Sequence, residues 1–394
     1  MSASDFSSRF GRSFRSLPGY PMAEIPALRR ELAARGVDVI DLGAGDSDLP
    51  PPPAAVEALR KAAGEPGFSR YPFQLGLPAL REAIAAWMEE RFGVALDPYT
   101  EILPLLGSKE GVAHLPFAFL DPGDVAVIPD PGYRAYLGGT LLAGGEPHLV
   151  PLRPEHDFLI PLEEIPDGVV RRTKILFLNY PNNPTAASAP SAYLERALDF
   201  CRDAQAVLAY DNAYSEIAFD GYRPPSILEL PGGREQALEF HSFSKTYNMT
   251  GWRLGWAAGS ASLISALSTV KTFMDTGVFL GIQAAGVAAL QSHGSWVPGN
   301  VEVFQGRRDA AVTAFREAGF EVRSPSAGMY LWIPVPGGEG SADLARRALE
   351  REGVIVLPGA ALGDGGEGFF RLALTVSEDR LEEAAARMGR LLAG

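Results

Sequence analysis

One cysteine, Cys201, stands among 394 residues, so neither an intrachain disulfide nor a cysteine metal cluster can form. Leu194, Leu198 and Cys201 recur at helical spacing, which predicts a buried helix-face thiol rather than a nucleophile. Histidine is scarce too: the five in the chain show no metal-ligand spacing, and no metal is expected. No apolar stretch approaches the roughly 20 residues that cross a bilayer. Arg9, Arg12 and Arg15 have no apolar run behind them, so the N-terminus does not read as a secretory signal. Positive charge is in deficit, with 35 Lys and Arg against 48 Asp and Glu and a formal net charge of -13. That disfavours nucleic acid and anionic membrane as partners, since both need clustered positive charge. No internal repeat is present. A cytoplasmic location is the default expectation.

What remains is an ordinary globular composition, 46% hydrophobic and 21% charged, long enough for two or three structural units. Residues 125–128, 175–178 and 206–210 are short apolar runs without alternation, as in strands covered on both faces. Helical segments such as Ser191–Ala204 separate some of them, which predicts an α/β fold with a mostly parallel central sheet flanked by helices. Residues 102–106 also read as a strand, though Pro104 is tolerable mainly at an edge or bulge. Later runs at 320–322, 329–333, 354–357 and 370–374 predict the strands of a smaller α+β unit. The expected division is 1–48 (arm and part of the small unit), 49–280 (large unit) and 281–394 (small C-terminal unit).

Residues 242–253 organise this reading. Lys245 lies between two predicted strands, at a strand end where open α/β sheets bind ligands. Ser242, Ser244, Lys245 and Arg253 offer hydroxyl donors, an amine nucleophile and a fixed positive charge. Taken alone, the stretch reads equally well as a solvated polar loop. Tyr133, Asn183, Asp211 and Tyr214 each follow the end of another predicted strand, and in such a sheet these ends converge on one crevice. Pyridoxal 5'-phosphate needs this inventory. Lys245 would form the Schiff base, and Asp211 would pair with the pyridine nitrogen, although alone it could be a turn or helix-cap residue. Asn183 and Tyr214 would donate to the phenolic oxygen, and Tyr133 would stack on the ring. The phosphate would sit on the amides of Ser108 and Lys109 at a helix start, with Ser242, Ser244 and Arg253 around it.

The stretches 242–256 (SFSKTYNMTGWRLGW), 180–185 (YPNNPT), 211–216 (DNAYSE) and 107–111 (GSKEG) resemble class I/II aminotransferases, the fold-type I pyridoxal-phosphate enzymes. The resemblance runs from Leu17 to Thr375. A finer one, to LL-diaminopimelate aminotransferases of the shorter bacterial type, is carried by 17–25, 37–50, 107–114 and 215–226. It implies a homodimer in which Tyr71 reaches the cofactor phosphate of the partner subunit. It also implies that Gly45, Asn183 and Arg371 hold the substrate α-carboxylate, with Tyr20 near the far end of the substrate. The implied reaction is ping-pong transfer from an amino acid to a 2-oxo acid, with Lys245, Asp211 and Tyr214 as the catalytic group. Two departures stand out. Ala186 follows the YPNNPT stretch where the family has Gly, which predicts an altered turn. Phe73 and Leu75 replace small polar residues, which predicts a bulkier, apolar wall near the second site.

Other readings remain open on the sequence. N-succinyl-diaminopimelate, alanine or aspartate are alternative donors, and a pyridoxal-phosphate-dependent C–S lyase shares the fold. A transcription-regulator effector domain would need a DNA-binding module, for which the first twenty residues are too short. Residues 363–368 match G-x-G-x-x-G but open no helix, so they fail the context test for a dinucleotide site.

Overall fold

A computed structural model describes residues 9–19, 25–73 and 75–393. In chain order its strands are β1 (Ile40–Asp41), β2 (Ile102–Leu105), β3 (Val125–Asp130), β4 (Glu146–Pro151), β5 (Thr173–Leu178) and β6 (Val207–Asp211). They continue with β7 (Ala237–Ser242), β8 (Gly255–Gly259), β9 (Tyr330–Pro334), β10 (Val354–Ile355), β11 (Leu357–Pro358) and β12 (Phe369–Ala373).

Seven strands form the central sheet in the order β2-β8-β7-β6-β5-β3-β4. All neighbouring pairs are parallel except those of β8, which runs antiparallel to both β7 and β2. The unbroken apolar runs follow from burial on both faces. Val125, Val127, Leu176 and Leu178 enter one core, while Ala126, Ile128, Ile175 and Phe177 enter another on the opposite face. β7 is buried along its whole length, so the alternation of Leu238, Phe240 and Ser242 does not mark a solvated face. Pro104 sits in β2, an edge strand that pairs only with β8. The opposite edge, β4, carries Pro147 and Pro151 and is mostly exposed; with no apolar run, it gives no strand signal in the sequence.

A third core gathers β1, β9, β12 and the long helix His293–Glu317. β1 pairs in parallel with β10, while β11, β12 and β9 form an antiparallel sheet. Residues 320–322 do not form the expected strand. Phe320 and Val322 are buried in this core, but the Val322 carbonyl accepts from Arg316 Nε at 3.0 Å and Nη2 at 2.8 Å instead of pairing with a strand. Packing buries that segment without a strand ladder.

Candidate active site

The C-terminal ends of β3, β5, β6 and β7 open onto one cavity of about 1340 Å³. Every described residue predicted for the site lines it except Tyr71. Tyr71 is 72% exposed on the surface of its own chain. Tyr20 lies outside the described residues.

Asp211 ends β6, buried and reached from two sides. Tyr136 Oη donates to its Oδ2 at 2.7 Å, and Asn179 Nδ2 donates to its backbone carbonyl at 2.6 Å. Its Oδ1 is buried without a partner. Burial pushes the carboxyl up to about 6, only partly offset by the Tyr136 hydrogen bond and the charge of nearby His241. His241 itself stacks on Trp256 with ring centroids 4.8 Å apart.

Lys245 lies in the single turn Phe243–Thr246 that follows β7, and its Nζ donates to the Gly45 carbonyl. Across from it, Arg371 on β12 is buried. Its Nη1 donates to Asn183 Oδ1 and its Nη2 to the Gly43 carbonyl, each at 2.7 Å. The guanidinium lies over the Tyr330 ring at 4.2 Å, and its Nε has no partner. The cost of burying this Arg is thus offset by two carbonyl-type acceptors and an aromatic face. Asn183 is fixed in turn, its backbone N–H donating to Asn179 Oδ1 at 2.8 Å. In the turn beyond it, Ala186 takes a left-handed conformation with φ +58°, and its N–H donates to the Asn182 carbonyl at 3.0 Å.

The helix Ser108–His114 begins at Gly107, whose φ of +79° suits glycine and where a Cβ would overlap the Arg253 guanidinium. Arg253 Nη2 donates to the Leu106 carbonyl at 3.3 Å, and Nη1 lies 3.4 Å from Ser244 Oγ. Ser242 Oγ accepts from the Ser244 N–H at 3.1 Å. Ser108, Lys109, Ser242, Ser244 and Arg253 therefore meet at one end of the cavity. Tyr133 packs edge-on against Tyr136, with centroids 5.7 Å apart.

Three contributors escaped the sequence reading. Tyr330 Oη lies 3.2 Å from Tyr214 Oη. Burial raises Tyr214, whereas for Tyr330 the Lys245 and Arg371 charges outweigh burial and lower it. Tyr136 and Asn179 support Asp211. Each shows in the sequence as one polar group set in or beside an apolar run, a weak signal.

The family model of aminotransferase class I and II matches residues 37–388. The chain belongs to that family. As a class I/II aminotransferase it is a pyridoxal-phosphate-dependent transaminase of fold type I. It is 49% identical over 377 residues to an LL-diaminopimelate aminotransferase of Desulforudis audaxviator, covering 96% of each chain. It is 46% identical over 381 residues to one from Moorella thermoacetica, covering 97% of this chain and 98% of that protein. Among solved structures, a substrate-bound BacF from Bacillus subtilis superposes with a TM-score of 0.92 at 34% identity, over 97% of each chain. A probable N-succinyldiaminopimelate aminotransferase from Thermus thermophilus gives 0.88 at 40% identity, covering 93% of this chain and 98% of that one.

The aminotransferase site fits the cofactor on its own chemistry. Asp211 Oδ1 and Arg371 Nε are both buried without a partner among the described residues. The first suits a protonated ring nitrogen and the second a carboxylate. No helix among the described residues is long and apolar enough to cross a membrane.

Proposed function

We propose that this transaminase moves an amino group from LL-diaminopimelate, or an amino acid with a similar second polar end, to 2-oxoglutarate in two alternating half-reactions. A role in lysine biosynthesis in the cytoplasm follows from that reading. The observation that carries the reaction is the shared cavity of Lys245, Asp211 and Arg371. The named activity of the relatives supports the substrate.

Bound pyridoxal phosphate supplies an electron sink that lowers the barrier to removing the substrate Cα proton. Lys245 would hold the cofactor through its aldehyde, and its Nζ, when free, would serve as the base and then the acid for the substrate Cα proton. Asp211 would keep a proton on the ring nitrogen, Tyr214 and Asn183 would donate to the phenolic oxygen, and Tyr133 would pack on the ring. Arg371, oriented by Asn183 and the Gly43 carbonyl, receives the α-carboxylate beside Gly45. Ser108 and Lys109 amides, Ser242, Ser244 and Arg253 would receive the phosphate, and the resemblance assigns Tyr20 to the far end of the substrate.

A homodimer completes the reading, with Tyr71 lent to the partner's site. Tyr71, Phe73 and Phe273, at 72, 63 and 86% exposed, supply an apolar surface suited to a second copy. The unit limits at 48/49 and 280/281 belong to the same proposal. Incubation of the pure protein with LL-diaminopimelate and 2-oxoglutarate tests the function by glutamate formation. Glutamate from alanine, aspartate or N-succinyl-diaminopimelate alone would move the substrate. Pyruvate and ammonia without any acceptor would make it a C–S lyase.

A further inference from the structure

Behind the phosphate end of the cavity lies a cluster with no place in that mechanism. Glu110, His114 and Asp275 bring ligand atoms within 4.8 Å of one another. The cation between the two carboxylates is an ammonium. Lys271 Nζ, on a fully buried side chain, donates to Glu110 Oε1 at 2.5 Å and to Asp275 at 2.7 and 3.0 Å. His114 Nδ1 stands 3.7 Å from the same Glu110 oxygen.

Each carboxylate has a second hydrogen bond, and each of these lands on a backbone turn. Glu110 Oε2 accepts from the Leu106 N–H at 2.5 Å, immediately before Gly107, Ser108 and Lys109. Asp275 Oδ1 accepts from the Gly277 N–H at 2.5 Å. Gly277 in turn packs on the loop after Tyr71, where a Cβ would come 2.7 Å from the Phe73 carbonyl.

We propose that Lys271 is a positioning residue that holds the phosphate-receiving turn 106–109 in place by keeping the Glu110 carboxylate aimed at the Leu106 N–H. The inference rests on the cofactor reading above. Without the ammonium, the buried Glu110 carboxylate and the part-exposed Asp275 carboxylate would face each other, and their repulsion would favour protonating one of them. Glu110 is the one that yields: burial and Asp275 already push it up to about 7, against the pull of Lys271. A protonated Glu110 is a poorer acceptor, and the Leu106 N–H loses its anchor. The turn then presents its amides less well to a phosphate.

The experiment compares binding of pyridoxal 5'-phosphate with that of pyridoxal, which lacks the phosphate, by absorbance titration of the cofactor-stripped full chain. Lys271→Met is expected to weaken pyridoxal-phosphate binding by about 10- to 100-fold while leaving pyridoxal binding unchanged. Glu110→Ala removes the clamp but keeps the Lys271–Asp275 pair. It is expected to show the same phosphate-selective loss, and it carries the test if the first variant does not fold. A lower melting temperature in both variants with the wild-type affinity ratio would overturn the proposal. Failure of the wild-type chain to bind pyridoxal phosphate would instead sink the cofactor reading.

Discussion

Tyr136 Oη donates to Oδ2 of Asp211 at 2.7 Å and leaves Oδ1 of the same carboxylate buried and without a partner. Half of this carboxylate is held by the protein and half is kept for a ligand. Such an arrangement costs stability until a cation arrives.

That cost has a sign in pH. Burial raises Asp211 from 3.8 to about 6, so the folded chain holds this proton more tightly than the unfolded one. Its contribution is fully present below pH 3.8 and lost as pH rises through about 6, a penalty of about 1–3 kcal/mol above that. Asp211→Asn removes the penalty. The cofactor-free variant is expected to be more stable than wild type at pH 7.5, with the gap closing toward pH 4, as read by denaturant unfolding across pH. Transamination by the variant should fall by about 100-fold or more, because a charged pair worth about 3 kcal/mol is lost.

Arg371→Lys keeps the charge but not the fork. Lysine cannot serve Asn183 Oδ1 and the Gly43 carbonyl together while lying flat over Tyr330. Steady-state kinetics should show KM for the amino donor rising about 10- to 100-fold, the scale of one charge-assisted hydrogen bond. An unchanged KM would remove Arg371 from carboxylate binding.

Tyr330→Phe leaves the Tyr214 hydroxyl buried without its 3.2 Å partner. The expected loss is about 5- to 30-fold in kcat, the scale of one unsatisfied hydroxyl, with cofactor content by absorbance unchanged.

Ala186 holds φ +58°, and its N–H donates to the Asn182 carbonyl at 3.0 Å. A left-handed non-glycine costs about 1–2 kcal/mol, part of which glycine returns through its looser unfolded chain. Ala186→Gly is therefore expected to stabilise the protein by about 0.5–1 kcal/mol in denaturant unfolding, without loss of activity.

How much could be read beforehand follows from where the signals live. β3, β5 and β6 are legible because burial on both faces demands unbroken apolar runs, and polar residues stand out where those runs end. Tyr133, Asn183 and Asp211 occupy such ends, while Lys245 follows β7, whose run is broken by Glu239 and His241. β4 was missed because an exposed edge strand with two prolines leaves no apolar trace. Residues 320–322 misled because burial alone makes a strand-like run, while Arg316 takes the Val322 carbonyl. Tyr330 and Lys271 lie within elements, where one polar residue is silent until its partners, distant in sequence, are known. At Ala186 the turn closes on a non-glycine residue in the left-handed region.

Lys245 as the residue that carries the cofactor is the central claim, and reduction with borohydride followed by peptide mass spectrometry tests it most directly. With pyridoxal phosphate bound, the label is expected on Lys245 alone and is absent in Lys245→Ala. Label on another lysine, or none in a wild-type chain that retains the cofactor, would contradict the account.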